Sequence, residues 1–286
     1  MLEYPDNPDL KKSVPIEDIG ILLIDHRQIT LSHSLISALM ENNTAVISCD
    51  KTRKPQGLML PMYSHHAYVE KLYSQLEASQ PLKKNLWQQT IAAKIRNQAI
   101  MLHNLDIDVE NMGYWMKSVR SGDPDNYEAR AAAYYWDKIF EHLTINTGRT
   151  RFGDPPNNLL NYGYAVLRAI IARSLVGSGM LPAIGIHHRN KYNPFCLADD
   201  IMEPYRPFVD KIVLQICREE SEIDELTPAL KRKLLQIPVV DVSIDHNKSP
   251  LMIAAQRTTS SLMRCFAGEI KKIVYPEMEL NEQTKS

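Results

Sequence analysis

The chain has 286 residues, 44% hydrophobic and 23% charged, which excludes collagen-like, low-complexity and broadly disordered classes. Its 33 Lys and Arg against 34 Asp and Glu leave a formal charge of −1, which argues against a uniformly basic nucleic-acid-binding module but leaves room for a local basic face. The cysteines Cys49, Cys196, Cys217 and Cys265 lie far apart with no CxxC pair, so the chain reads as holding reduced thiols rather than a zinc ribbon or a disulfide framework.

The opening MLEYPDNPDLKK is polar and lacks the apolar core of a signal peptide. Ile21–Asp25 (ILLID) is a compact apolar run that reads as a strand, followed by Ile29–Leu31. Ser32 or Ser34 can cap a short helix running to Met40, with Leu35, Ile36 and Leu39 on one face. Ala45–Cys49 is a second strand, Lys51–Gly57 a basic loop, and Leu58–Leu60 a third strand. These are few strands for a free-standing sheet, so the sheet is expected either to be small or to be completed by another chain or by first strands missing here.

From about Tyr68 the periodicity turns helical. Helices are expected over 82–105, carrying Leu86, Ile91, Ile95, Ala99 and Leu102 at helical spacing, and over 126–143 behind Asp123-Pro124. Others are expected over 155–176, 200–218, 227–236 and 249–274, with Thr227-Pro228 and Ser249-Pro250 as cap-and-proline starts. The apolar stretch YAVLRAIIARSLVG carries Arg168 and Arg173 and falls short of the roughly 20 residues a membrane span needs. The expected class is α+β: a β-rich N-terminal domain over 1–66, lacking its first strands, then an all-helical catalytic domain over 67–286, in a cytoplasmic protein.

The densest polar cluster is Gly185–Asp210, with two histidines, four acids and three basic residues. Asp200 and Glu203, three apart, share one face if this stretch is helical. Paired carboxylates with a histidine suit Mg²⁺ or Mn²⁺, and Lys191 and Arg206 are placed to meet phosphate oxygens. The plainer alternative is a His-His pair in a surface turn and two acids favouring a helix start. Glu128 follows Asp-Asn-Tyr and precedes Ala-Arg-Ala-Ala-Ala, a small-residue face that another element can approach closely. It reads either as an inward acid needing a partner or as an exposed member of an i,i+4 pair. Asn161 and the tyrosines of NNLLNYGYAVLR read as packing residues.

Taken together, EARAAAYYW, NLLNYGYAVLR and GIHH…DDIMEPYRP, with SVPIEDIGILLID and LMENNTAVISCD before them, resemble the CRISPR-associated integrase of the spacer-acquisition stage, in its type II form. The likeness runs from residue 13 to about 275, its motifs in order. It implies that Glu128, His188 and Glu203 are the catalytic metal ligands for Mg²⁺ or Mn²⁺, with His188 chosen over His187 by its register to Gly185. Asp200 becomes a supporting or alternate ligand, and Lys191 and Arg206 the phosphate-binding residues. The implied reaction is insertion of captured DNA into a CRISPR array by attack of its 3′-hydroxyl ends at the leader–repeat junction. The implied partners are DNA, a second copy of the chain, the small ferredoxin-like second adaptation protein and the RNA-guided effector nuclease. Lys83, Lys84, Lys94 and Arg96 around Trp87, with Arg149 and Arg151, then become candidate phosphate contacts or ordinary solvated charges. Two rivals remain: a metal-dependent nuclease of a repair pathway, and a non-enzymatic helical scaffold.

Overall fold

Backbone pairing begins at the second residue. In the computed structural model, which describes residues 2–4, 7–62, 65–145, 148–150 and 153–281, β1 (Leu2–Tyr4) and β2 (Asn7–Lys12) form an antiparallel hairpin. The polar opening thus pairs with itself, and the hairpin is separate from the next sheet and does not extend it. That sheet is built by aliphatic runs. β3 (Ile21–Ile24) pairs in parallel with β4 (Ala45–Cys49), Ile21 opposite Ala45 and Ile24 opposite Ser48. Parallel neighbours need a crossover, and α1 (His33–Glu41) supplies it. Ser32 caps α1, its hydroxyl accepting the Leu35 amide at 3.2 Å. β5 (Pro55–Met59) runs antiparallel to β4 and completes the order β3-β4-β5. It begins three residues before the expected strand, since Pro55 is tolerated at a strand's first position. Ile29–Leu31 forms no strand.

Helices dominate the rest: α2 (Tyr68–Leu76), α3 (Gln80–His103), α4 (Met112–Ser118), α5 (Tyr127–His142) and α6 (Asn157–Gly177), then α7 (Cys196–Met202), α8 (Arg206–Glu219), α9 (Pro228–Leu234) and α10 (Leu251–Phe266). The core collects around α3 and α6, with Leu86, Ile91, Ile95, Leu160 and Ile170 among its buried side chains. By length and composition α6 could cross a membrane, yet 83% of its apolar window is buried inside the fold, so that surface is already used.

Three departures from the expected elements have local causes. The single helix expected over 200–218 is split: α7 ends at Met202, a 3-10 turn covers Glu203–Tyr205, and α8 starts at Arg206. Pro204 has no N–H to donate to the carbonyl four residues back. The helical region also contains a β-hairpin, β6 (Asp241–Ile244) with β7 (Asn247–Pro250), so it is not all-helical. Asp245 and His246 between them take φ of 51° and 61°, the two positive angles that a tight two-residue hairpin turn demands. Ser249-Pro250 therefore closes β7, and Pro250 is the N-cap residue of α10 with no side-chain cap, one position earlier than the expected proline at N1. Finally, α10 stops at Phe266, where Gly268 adopts a φ of 75°.

Beyond that glycine the chain runs back along α3 as a strap. Gln89 Nε2 donates to the Lys271 carbonyl at 2.9 Å and Asn104 Nδ2 to the Glu279 carbonyl at 2.9 Å. Between them, buried Asn97 donates to the carbonyls of Pro276 (3.0 Å) and Pro204 (2.8 Å) and accepts the Met278 amide (3.1 Å). The first sheet is tied to the helices by two buried cations: Lys231 Nζ lies 2.8 Å from Asp25 Oδ2, and Arg173 Nε donates to the Asn43 carbonyl at 2.5 Å.

Candidate metal centre

The loop between α6 and α7 folds over a buried carboxylate. Asp200, on α7 and fully buried, accepts the amides of Ile186 (2.8 Å), His187 (2.9 Å) and His188 (3.2 Å). Its Oδ1 also lies 2.6 Å from Nδ1 of His188. A Cβ on Gly185 would meet the His188 carbonyl oxygen at 2.5 Å and Asp200 Oδ2 at 2.8 Å, so only glycine lets the loop close this tightly. Trp87 of α3 stacks flat on His187, centroids 4.1 Å apart, and meets His188 edge-on at 5.7 Å. The hydrogen bond to Asp200 raises the His188 imidazole above its ordinary value against the opposing effect of burial. With Nδ1–H given to an anionic acceptor, Nε2 is the ring atom left to bind a ligand.

Two more carboxylates meet a single ammonium. Glu128 sits in the first turn of α5, whose start is held by Asp123, its carboxylate accepting the amides of Tyr127 (3.0 Å) and Glu128 (2.9 Å). Glu203 sits in the turn after α7. Lys94 Nζ, from α3, lies 2.5 Å from Glu128 Oε1 and 2.6 Å from Glu203 Oε2. The second contact is one of charge and distance, off the hydrogen-bond axis. Arg206 Nη2 takes the other Glu203 oxygen at 2.8 Å, with its guanidinium 4.8 Å over the Tyr164 ring. Burial pushes the Glu203 carboxyl up, but Arg206 and Lys94 outweigh it and hold it below the usual range. Burial likewise pulls Lys94 down, and the two glutamates reverse this and raise it.

Lys94 and Arg206 of this site also line a cleft of about 870 Å³, whose wall carries Lys54, Arg149 and Arg168 as well. Arg168 is paired with Asp199 at 2.7 Å, and Arg149 donates to Asn157 and Asn161, both at 2.9 Å. At the cleft floor Asp210 accepts the hydroxyls of Tyr164 (2.5 Å) and Tyr135 (2.9 Å), and burial pushes its carboxyl up to about 6.

Against known proteins, the family described as CRISPR associated protein Cas1 matches residues 2–227. The chain belongs to the Cas1 family. A CRISPR-associated endonuclease Cas1 from Neisseria meningitidis is 38% identical over 270 residues, covering 93% of this chain and 87% of the relative. Among solved structures, a casposase bound to integration product matches 94% of this chain and 84% of its own at 22% identity and a TM-score of 0.78. A Cas1 protein from Thermotoga maritima matches 94% and 91% at 18% identity with a TM-score of 0.72, and both agree in fold.

Measured on this Cas1 fold, the residues singled out in the sequence fall into two groups. Glu128 and Glu203 are brought to one cation, and His188 is braced by Asp200 on an adjoining loop. Among the described residues no three His, Cys, Asp or Glu side chains already close on one point. Arg206 is locked into the site, whereas Lys191 is exposed, its ammonium 4.9 Å over the ring of Tyr192, which lines the cleft. Arg96 turns away to pair with Glu277 at 2.7 Å, and Arg151 lies outside the described residues. Lys94, grouped in the sequence with candidate phosphate contacts, stands inside the site itself. Its signal was there: it lies on the buried stripe of α3 with Trp87, Ile91 and Gln98, where a charge requires a partner. Asp210, Tyr135 and Asn97 carried no comparable signal.

The donor set fits a hard divalent ion. Two carboxylates already share one cation position, and an imidazole fixed by a carboxylate behind it lies close enough to Glu203 for their charges to interact.

Proposed function

We propose that this chain is a metal-dependent DNA endonuclease and integrase of spacer acquisition, joining the 3′-hydroxyl ends of captured DNA to a CRISPR leader–repeat junction by transesterification. What supports the reading is the convergence of Glu128 and Glu203 on one cation position beside a basic cleft, in a Cas1-family chain whose 38%-identical relative is named an endonuclease. Glu128, Glu203 and Nε2 of His188 would hold Mg²⁺ or Mn²⁺. Bound there, the ion supplies Lewis-acid stabilisation of the charge developing on the scissile phosphate.

The chain's own groups do the rest. Asp200 keeps the Nδ1 proton of His188 and so presents the ring as a ligand, not as a base. Arg206, fixed between Glu203 and Tyr164, offers a rigid guanidinium to a phosphate oxygen. Lys54, Arg149 and Arg168 along the cleft, and Lys191 between the cleft-lining Asn190 and Tyr192, neutralise the strand that enters. No side chain is required as a covalent nucleophile, because the attacking group belongs to the DNA. In this reading the chain acts in the cytoplasm, residues 67–286 carry the chemistry, and 1–66 pair two copies into a homodimer. The small ferredoxin-like adaptation protein and the effector nuclease are its further partners.

The test is a half-site integration assay with Mn²⁺, the small adaptation protein, labelled short DNA bearing 3′-hydroxyl ends, and a repeat-containing plasmid. Label joined to the repeat is expected with the native chain, and at least about 100-fold less with Glu128→Ala. Undiminished joining by that variant overturns the assignment of Glu128. Cleavage without joining places the chain with repair-type nucleases.

A further inference from the structure

Lys94 is not placed as a solvated lysine. Its ammonium contacts Glu128 Oε1 at 2.5 Å and Glu203 Oε2 at 2.6 Å, and its side chain is only 7% exposed. The carboxylates come from elements far apart in sequence, the first turn of α5 and the turn after α7. Among the described residues no other side chain bridges them: Arg206 reaches only the far oxygen of Glu203. Without a cation between them, two carboxylates converging at a largely buried point would repel each other and lose solvation.

We propose that Lys94 is a removable counter-ion: it holds Glu128 and Glu203 together while no metal is bound, and gives up that position when a divalent ion takes the same oxygens. The inference rests on the metal site proposed above and adds an exchange of cations to it. With both cations in place, a double positive charge would crowd an ammonium already beside the Arg206 guanidinium. Relief is available in one direction. Lys94 borders the basic cleft, and a lysine can withdraw a compact charge by rotating its four-carbon stem without moving α3. Arg206 cannot move in this way, because Glu203 and Tyr164 fix its planar fork. The displaced ammonium then faces the cleft in which phosphate is held. The exchange therefore gives an order: the metal arrives first, and its arrival adds a cation to the DNA path. Lys94 is thus a positioning residue in the metal-free chain and a phosphate partner in the loaded one.

The test measures Mn²⁺ binding from the loss of the free aqueous Mn²⁺ signal in electron paramagnetic resonance, together with thermal melting in EDTA and in Mn²⁺, for the native chain, Lys94→Met and Glu203→Gln. With its competitor removed, Lys94→Met is expected to bind Mn²⁺ at least about tenfold tighter than the native chain. It should melt lower in EDTA and recover in Mn²⁺, a recovery that a purely structural lysine would not show. Equal or weaker binding by Lys94→Met, with native binding intact, overturns the counter-ion role and leaves the metal site standing. No binding by the native chain overturns both. Should Lys94→Met fail to fold, acetylation of the native chain decides, read at Lys94 by mass spectrometry. Acetylation several-fold faster in Mg²⁺ than in EDTA supports displacement, and an unchanged rate overturns it.

Discussion

Oδ1 of Asp200 lies 2.6 Å from Nδ1 of His188, and this contact decides which ring nitrogen is left to bind a ligand. The same carboxylate accepts three backbone amides of the loop, so one buried group sets both the loop and the ring. Asp200→Asn keeps the shape but turns an amide NH₂ toward N–H donors. The expected result is a loss of metal affinity of about 10–100-fold. In the metal-free chain the His188 value, raised by this hydrogen bond, should fall in the variant, as read by NMR titration of the ring. A raised imidazole stabilises the fold at pH below its unfolded value, and that stability is lost as pH rises through the folded value. The native advantage over Asp200→Asn should therefore be greatest on the acid side.

Gly185→Ala probes the same loop from its backbone. The new methyl would meet the His188 carbonyl at 2.5 Å and Asp200 Oδ2 at 2.8 Å, with Cys196 Cβ behind at 3.1 Å. Neither backbone nor a fully bonded carboxylate yields cheaply, so a cost of about 1–3 kcal/mol is expected in urea unfolding. Metal binding should weaken with it, whereas a change in stability alone would show that the loop relaxes without moving His188.

Asp210 carries the clearest pH signature. Burial pushes its carboxyl up to about 6, although two tyrosine hydroxyls favour its charged form. A folded value above the unfolded one means stability that is full below about pH 4 and is lost as pH rises through about 6. Asp210→Asn abolishes this dependence. Its stability relative to the native chain should rise by up to roughly 3 kcal/mol between pH 4 and 7. Parallel curves from urea unfolding at pH 4.5 and 7.5 would contradict the assignment.

Much of this architecture is legible in the sequence. The ends of α5 and α6 were expected to within two residues, because Asp123-Pro124 and the Pro155-Pro156 pair mark their starts. The hairpin β6–β7 was missed because its turn is Asp245-His246, without the glycine that usually announces positive φ. Glu128 could be named from the family resemblance but not from spacing, because one turn of α5 says nothing about what approaches it. Lys94 was misplaced because charge alone suggested solvent, while its neighbours Trp87 and Ile91 put it on the buried face. The role of Asn97 depends on a strap that arrives some 180 residues later and left no local trace.

Asn97→Ala tests that strap. It leaves the carbonyls of Pro204 and Pro276 and the amide of Met278 without their partner in the interior. A cost of about 2–4 kcal/mol is expected in denaturant unfolding. Hydrogen exchange at the Met278 amide should quicken. Since Pro204 follows Glu203 directly, Mn²⁺ affinity should also fall, and unchanged affinity would confine Asn97 to holding the strap.

In the proposed site Glu128, His188 and Glu203 bind one divalent ion. The most direct test of this site is anomalous diffraction from crystals of the protein soaked in Mn²⁺. One manganese peak is expected about 2.0–2.6 Å from a carboxylate oxygen of Glu128, a carboxylate oxygen of Glu203 and Nε2 of His188. Lys94 should then be withdrawn from the two glutamates. A peak elsewhere, or none at millimolar Mn²⁺ with Lys94 still between Glu128 and Glu203, would contradict it.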